Sequence, residues 1–450
     1  MVSGSGSGKG SESVARLNAD CKKPVWGRKR IFLKSQAFVA DLACIGDRAG
    51  EKRHGLSETG LSRNTWPLCS FIFPKGLLFM SAKLFSSLQI GAVTVPNRLA
   101  IAPMCQYSAA DGTVNEWHLQ HWMNMGMSGC GLVMVEATGV ERVGRITHGC
   151  IGLYNDLNER EMKRVLDSAK AVSMPGTKFG VQLGHAGRKA SSMLPWLGGM
   201  ACTKDDDAWQ TVSSSAIPFM QGWPVPEVLD DKGIEHIFKA FAQAAERAVR
   251  VGFEVLEIHM THGYLVHQFL SPLSNTRTDK WGGTAEKRQA FGLEVARVVR
   301  AAVPKHIAVG ARIAGFDWVE GGITLEDAVD FTKKLKAAGM DYACVSSGGI
   351  DPTAKIAVGP GYQVPFARAI KKETGIVTRA VGMIVTPEQA EEILQAGDAD
   401  QIALGRAILD NPRWGWHAAD VLGVDLPRPP QYDRARAKLW PGAKLARSIG

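Results

Sequence analysis

From Leu99 onward, short apolar, β-branched runs alternate with amphipathic stretches, each run followed by one stretch of helical period. The runs at 98–102, 132–136, 179–183, 255–259, 307–311, 342–346, 376–380 and 401–404 read as strands. Helical patterns lie between them, near 116–128, 159–173, 233–251, 284–303, 325–338, 363–373 and 387–396, and a last helix opens near Arg406. Strands that are apolar throughout belong to a parallel sheet covered on its outer face. Eight strand–helix units predict an α/β fold of the closed (β/α)8 TIM-barrel type. The stretch 188–228, rich in Pro, Gly, Ser and Trp, interrupts the third unit. It is too long for a passive connection and is expected to shape the mouth of a site.

The remainder of the 450 residues divides unevenly. The chain opens MVSGSGSGKGSES, which reads as flexible linker, and no sustained period appears before residue 80. Met80 is expected to be the natural start, with 1–79 a flexible extension outside the fold, 80–434 the barrel and 435–450 a C-terminal tail. A mitochondrial leader is disfavoured by the acidic residues and the Gly/Ser head, and no secretory pattern opens the chain.

Charge changes the picture only once it is located. The net +9 suggests a nucleic-acid binder, but residues 1–79 carry 7 Lys and 6 Arg against 6 acidic residues, which accounts for +7. The folded body is near neutral, so nucleic acid is not an expected partner. No apolar run approaches the ~18 residues of a membrane span. The longest, at 71–79, contains Pro74 and Lys75. The 8 cysteines are scattered without a CxxC pair, which points to reduced thiols and a cytoplasmic protein.

In a barrel of this type the chemistry belongs at the C-terminal strand ends. Past strand one come Ala102-Pro103-Met104-Cys105-Gln106-Tyr107, and past strand two Glu136-Ala137-Thr138. Strand three ends in Gln182-Leu183-Gly184-His185-Ala186-Gly187-Arg188, strand four in His259-Met260-Thr261-His262-Gly263-Tyr264. Strand five delivers Arg312, strand six Ser346-Ser347-Gly348-Gly349, strand seven Gly382-Met383-Ile384, strand eight Gly405-Arg406. The glycine-rich last loops suit a phosphate, which backbone N–H groups at a helix start would hold.

The runs APMCQYSA, QLGHAGR, IHxxHGYLxHQFLSPLSNxRxDxxGG and ALGR resemble the Old Yellow Enzyme family of FMN-dependent ene-reductases, in its xenobiotic-reductase or thermophilic-like branch. The resemblance runs from about Leu84 to about Arg434 and implies an NAD(P)H-dependent reductase of activated C=C bonds in α,β-unsaturated carbonyl and nitro compounds. It implies FMN as cofactor and NADPH or NADH as hydride donor. Arg312 would stabilise negative charge at the flavin N1 and C2 carbonyl, and Gln182 would meet the pyrimidine edge. Cys105 would tune the flavin near N5, while Ala102, Pro103, Met104 and Ala137 would pack the ring. Gly382, Gly405 and Arg406 would hold the phosphate. His259 and His262 would donate to the substrate carbonyl, Tyr264 would supply the proton, and Tyr107 would line the pocket. Arg434, in a Gln-Tyr-x-Arg setting, would reach a neighbouring subunit's pocket, which implies a homodimer or dimer-based oligomer.

Blander readings stand beside these. His259-x-x-His262 and His118-x-x-His121 each look like half a zinc site, but no carboxylate follows at ligand spacing and no metal is expected. His118 and His121 read as helix-surface or structural residues. Arg434, Arg436, Lys438, Lys444 and Arg447 read alternatively as a basic tail. The competing function is a flavin-binding or redox-sensing protein without turnover, and the clustered His259, His262, Tyr264 and Arg312 weigh against it. A phosphate-sugar barrel enzyme without flavin is the third reading.

Overall fold

The computed structural model describes residues 82–446; the expectations for 1–79 lie outside the described residues. Eight parallel strands close into a barrel: Leu99–Ile101, Leu132–Gly139, Lys178–Gly184, Val255–Met260, Ala308–Ala314, Tyr342–Ser346, Val377–Ala380 and Gln401–Leu404. They are called the first to eighth strands below. The eighth pairs back onto the first, Ile402 opposite Leu99, so the sheet has no free edge. This is the (β/α)8 TIM barrel that the alternation of runs predicts.

Helices Glu116–Gly126, Asp156–Val172, Asp231–Val251, Ala285–Ala302, Leu325–Ala337, Val364–Thr374 and Pro387–Gln395 separate the strands. Most start where a side chain satisfies a first-turn N–H. Asn155, Asp230 and Thr324 accept from Asn158, Gly233 and Asp327, and Thr324 forms a full capping box with Asp327. The apolar faces of these helices join the outward strand residues in one large buried cluster. The inward residues form a second, smaller cluster that includes Ala100, Leu132, Met134, Val255, Ala308, Tyr342 and Cys344.

A β-hairpin that the sequence pattern does not announce, Leu88–Ile90 with Val93–Val95, caps the N-terminal end of the barrel. Its two-residue turn needs a left-handed residue, and Gly91 supplies it at φ +55°. With that end closed, the strand C-termini form the open mouth.

The excursion after the third strand contains 3-10 turns and one short strand pair, Val212–Ser213 beside Glu227–Val228. It is anchored at several points. Gln268 Oε1 accepts from Ser213 Oγ at 2.9 Å and from Arg188 N at 3.1 Å. The Gln268 carbonyl accepts from Ser214 Oγ at 2.9 Å, Arg277 donates to the Ser214 carbonyl at 3.2 Å, and Ser215 Oγ accepts from Thr276 N at 2.9 Å.

Candidate active site

The fourth and fifth strands run side by side with His259 opposite Arg312, so both side chains enter the mouth together. His259 is buried, and its Nδ1 accepts from Thr261 N at 3.4 Å. Burial foremost, then the Arg312 charge, holds its imidazolium pKa well below the usual histidine range. The ring is therefore neutral with its proton on Nε2, a donor aimed into the site.

Three residues on, past the end of the strand, His262 adopts φ +58°, a left-handed conformation uncommon for a side chain of this size. That turn brings the two imidazoles to 5.1 Å at 79°, and Tyr264 stands 4.8 Å from His259, nearly perpendicular. The histidines are not equivalent. His262 Nε2 lies 2.8 Å from Ser346 Oγ, and that hydroxyl donates to Gln363 Oε1 at 3.2 Å. Nε2–H is thus the donor to Ser346, and only Nδ1 remains as an acceptor. Burial also holds His262 neutral, and it lifts the Tyr264 hydroxyl well above the usual tyrosine range, so that Tyr264 keeps its proton.

Arg312 is the least balanced group in the site. Its Nε is buried with no hydrogen-bond partner, and no ion pair reaches the guanidinium among the described residues. Deeper in the barrel, Gln182 is held by donating its amide to Glu257 Oε1 at 2.8 Å. Glu257 Oε2 takes Arg379 at 2.8 Å, and Arg379 Nε donates to Gln401 Oε1 at 2.7 Å. Tyr342 lies under the Arg379 guanidinium at 4.5 Å.

On the other side of the mouth, Ala102 is buried and Pro103, Met104, Cys105 and Tyr107 are half-buried. Tyr107 sits at φ +52° and meets Trp196 of the excursion edge-on at 6.0 Å. The second strand carries a bulge, with Val135 opposite Val181 but Ala137 opposite Gln182. The bulge turns Ala137 toward the register level of Gln182 and sends the Glu136 carboxyl to accept from Gln106 N at 2.8 Å. Burial raises the Glu136 pKa well above the carboxylate range.

His118 is not a surface residue. It is fully buried, with Nδ1 3.0 Å from the Asn115 side chain at the start of its helix and Nε2 3.7 Å from Glu136. Burial lowers His118 and His121 to about 4 each. Among the described residues, no group of three or more His, Cys, Asp or Glu side chains is arranged to hold a metal.

Gly382 has φ +119°, and a Cβ there would lie 2.7 Å from Gln363 Nε2, so only glycine fits. Gly405 caps the short helix Arg406–Asp410, and the Arg406 side chain is exposed. Arg434 lies exposed on the 3-10 segment Pro430–Ala435, away from the strand ends that gather the other residues. The reading of a loose basic tail does not hold for its neighbours: Arg436 pairs with Asp425 and Asp433, and Lys438 with Asp425 at 3.0 Å.

Sequence reasoning missed Lys189, one residue past the QLGHAGR run. Its ammonium donates to the carbonyls of His262 at 2.8 Å and Gly349 at 3.0 Å. It sits over the Phe219 ring at 4.4 Å and the Tyr264 ring at 5.3 Å. Burial, then the Arg188 charge, lowers it to about 8. A lysine directly after a strand-end motif was the available signal. Glu257 was also legible, as a carboxylate on the inward face of an apolar strand.

The donors fit a flavin mononucleotide. A buried guanidinium lacks a counter-charge, a fixed amide lies deeper in the barrel, and a loop that needs glycine and an exposed arginine follow the seventh and eighth strands.

Comparison with known proteins agrees. A family model described as the NADH:flavin oxidoreductase / NADH oxidase family matches residues 83–422. An NADPH dehydrogenase of Geobacillus thermodenitrificans is 41% identical over 357 residues, covering 79% of this chain and 99% of that protein. An NADH:flavin oxidoreductase of Gibberella zeae, FG08077, is 41% identical over 371 residues, covering 78% of this chain and 89% of that one. Among solved structures, morphinone reductase in complex with tetrahydroNAD is 26% identical with a TM-score of 0.62, over 78% of this chain and 94% of that one. The enzyme uses FMN and NAD(P)H. The chain belongs to the NADH:flavin oxidoreductase / NADH oxidase family and is an oxidoreductase of the Old Yellow Enzyme type.

Proposed function

We propose that the enzyme reduces the activated C=C bond of α,β-unsaturated carbonyl compounds, and of nitro-activated alkenes, at the expense of NAD(P)H. The observation that carries this reading is the neutral His259, with its Nε2–H aimed into a mouth shared with Tyr264 and the unpaired Arg312. FMN, when bound, supplies the hydride that it takes from the nicotinamide.

His259 donates to the substrate carbonyl oxygen and draws charge from the β-carbon. His262 joins it once its Nε2–H turns from Ser346 to the ligand. Tyr264, kept protonated by burial, gives its proton to the α-carbon. Tyr107 lines the pocket and holds the same carbonyl. Arg312 would stabilise the negative charge that collects at the flavin N1 and C2 carbonyl, and Gln182 would hold the pyrimidine edge. Ala102, Pro103, Met104, Cys105 and Ala137 would pack the ring, and Gly382, Gly405 and Arg406 would hold the phosphate.

The exposed Arg434 borders the pocket of a second copy, which makes a homodimer the functional unit. Arg434→Ala then raises KM and leaves the flavin spectrum unchanged, and a strictly monomeric enzyme in solution refutes that role. A cytoplasmic location belongs to the same proposal, supported by scattered cysteines without a CxxC pair.

Anaerobic stopped-flow mixing tests the whole reading. NADPH should bleach the flavin band and 2-cyclohexenone should restore it. Bleaching without re-oxidation by any enone leaves the family activity intact and overturns ene-reduction.

A further inference from the structure

Lys189 follows the third strand, His262 the fourth and Gly349 the sixth. The last two loops are in backbone contact. A Cβ at Gly263 would lie 2.2 Å from the Gly349 carbonyl oxygen, and one at Gly349 would lie 2.8 Å from His262 Cα. The half-buried Lys189 spans the same junction, its ammonium donating to the His262 carbonyl at 2.8 Å and the Gly349 carbonyl at 3.0 Å. These two anchors hold the charge over one face of the Tyr264 ring, 5.3 Å from its centroid. The Phe219 ring of the excursion lies against it at 4.4 Å.

Bridging two carbonyls does not require a charge, since a neutral amide donates as well. Among the described residues no carboxylate pairs with Lys189. A cation withdrawn from water without a counter-ion is costly. Burial, then the Arg188 charge, lowers it only to about 8, so the ammonium keeps its charge at neutral pH. The missing partner is an anion, and the group that Lys189 faces is the one that becomes an anion during turnover.

We propose that Lys189 is a positioning residue for proton transfer, its fixed ammonium stabilising the phenolate that forms when Tyr264 protonates the substrate. The inference rests on the role proposed above for Tyr264. Hydride adds to the β-carbon, and the electron pair of the C=C bond passes to the enolate. The α-carbon then forms a C–H bond with the Tyr264 proton, the O–H bond breaks, and its electron pair stays on the phenol oxygen. That charge spreads into the ring beneath the ammonium, so the attraction is stronger after the transfer than before it. Water returns the proton to the phenolate afterwards. The ammonium is already in place, and no reorganisation is needed at the moment of reaction.

The test uses the FMN-loaded enzyme in anaerobic stopped flow, with Lys189→Met, Lys189→Gln and Lys189→Arg. Lys189→Gln keeps a donor for the carbonyls without the charge, and Lys189→Arg keeps the charge. NADPH should bleach the flavin at the wild-type rate in all three. Re-oxidation by 2-cyclohexenone should slow about ten-fold in Lys189→Met and Lys189→Gln and recover in Lys189→Arg. Menadione, a quinone that takes its protons on oxygen, draws none from Tyr264 and should re-oxidise every variant equally fast. If Lys189→Met does not hold FMN, the other two variants decide. A near-wild-type enone rate in Lys189→Gln would show that the residue only ties the loops and overturns the proposal, as does an equal slowing with menadione. A wild-type flavin that menadione re-oxidises and no enone does overturns ene-reduction, and this inference with it.

Discussion

Arg312 and Arg379 flank Cys344 in the sheet, each its register partner, yet their surroundings are opposite. Arg379 is neutralised by Glu257, tied to Gln401 and stacked on Tyr342. Arg312, almost as buried, has neither counter-ion nor hydrogen-bond partner for its Nε. A buried cation without a partner is costly, whereas a paired one is nearly neutral in net effect. The barrel solves this problem at one arginine and leaves it at its near neighbour, and that difference is what supports the proposed role of Arg312 at the flavin.

That contrast is sharpest in stability. Arg379→Met strands the Glu257 carboxylate and is expected to cost about 3–5 kcal/mol of unfolding free energy. Arg312→Met removes an uncompensated charge and should leave the apoprotein as stable as before, or more so. Paired denaturant titrations check both, and equal losses in the two variants would erase the distinction.

The order reverses in chemistry. Arg312→Met is expected to slow flavin reduction by NADPH and lower the flavin potential, with a loss of about 3 kcal/mol in transition-state stabilisation, by analogy with a single preorganised donor. Refolded Arg379→Met should keep most of that rate.

The histidines make a smaller comparison of the same kind. His259→Ala is expected to lose about 100-fold in kcat/KM for cyclohexenone, and His262→Ala about ten-fold, because Ser346 already holds His262. The double variant should retain FMN, read from its visible spectrum. Equal effects would show that substrate detaches His262 from Ser346 at no cost.

The smallest effect concerns pH. Burial keeps both histidines neutral, so the enone kcat/KM should show no inflection near 6.5, the ordinary histidine value. A bell with a limb at that value would mean that an imidazolium binds the carbonyl.

The eight strands and the seven helices between them were legible because each apolar run is continuous and each helix amphipathic. The strand ends were legible because a polar residue ending an apolar run has few structural uses. The capping hairpin was not, since two three-residue strands give too short an alternation to register. The bulge at Glu136 leaves the apolar pattern almost untouched while changing which side chain faces the mouth. Glu257 and Arg379 are 122 residues apart, and only closure of the barrel makes them partners. The inequality of His259 and His262 depends on Ser346 and Gln363, contributed by other segments, so no local motif carries it.

The anchoring of the 188–228 excursion sets terms for anyone who would exchange it. Gln268 and Arg277 grip Ser213 and Ser214 as a socket grips a plug, and the gripping residues belong to the frame. A segment transplanted from another barrel must bring hydroxyls to those two positions, or the Gln268 side-chain oxygen and backbone carbonyl each lose a buried donor. The stretch carrying Trp196 and Leu197 makes no such demand: both side chains face outward, more than half exposed. Variation there is the cheaper route to a new substrate range, because the plug remains seated while its outer face is rewritten.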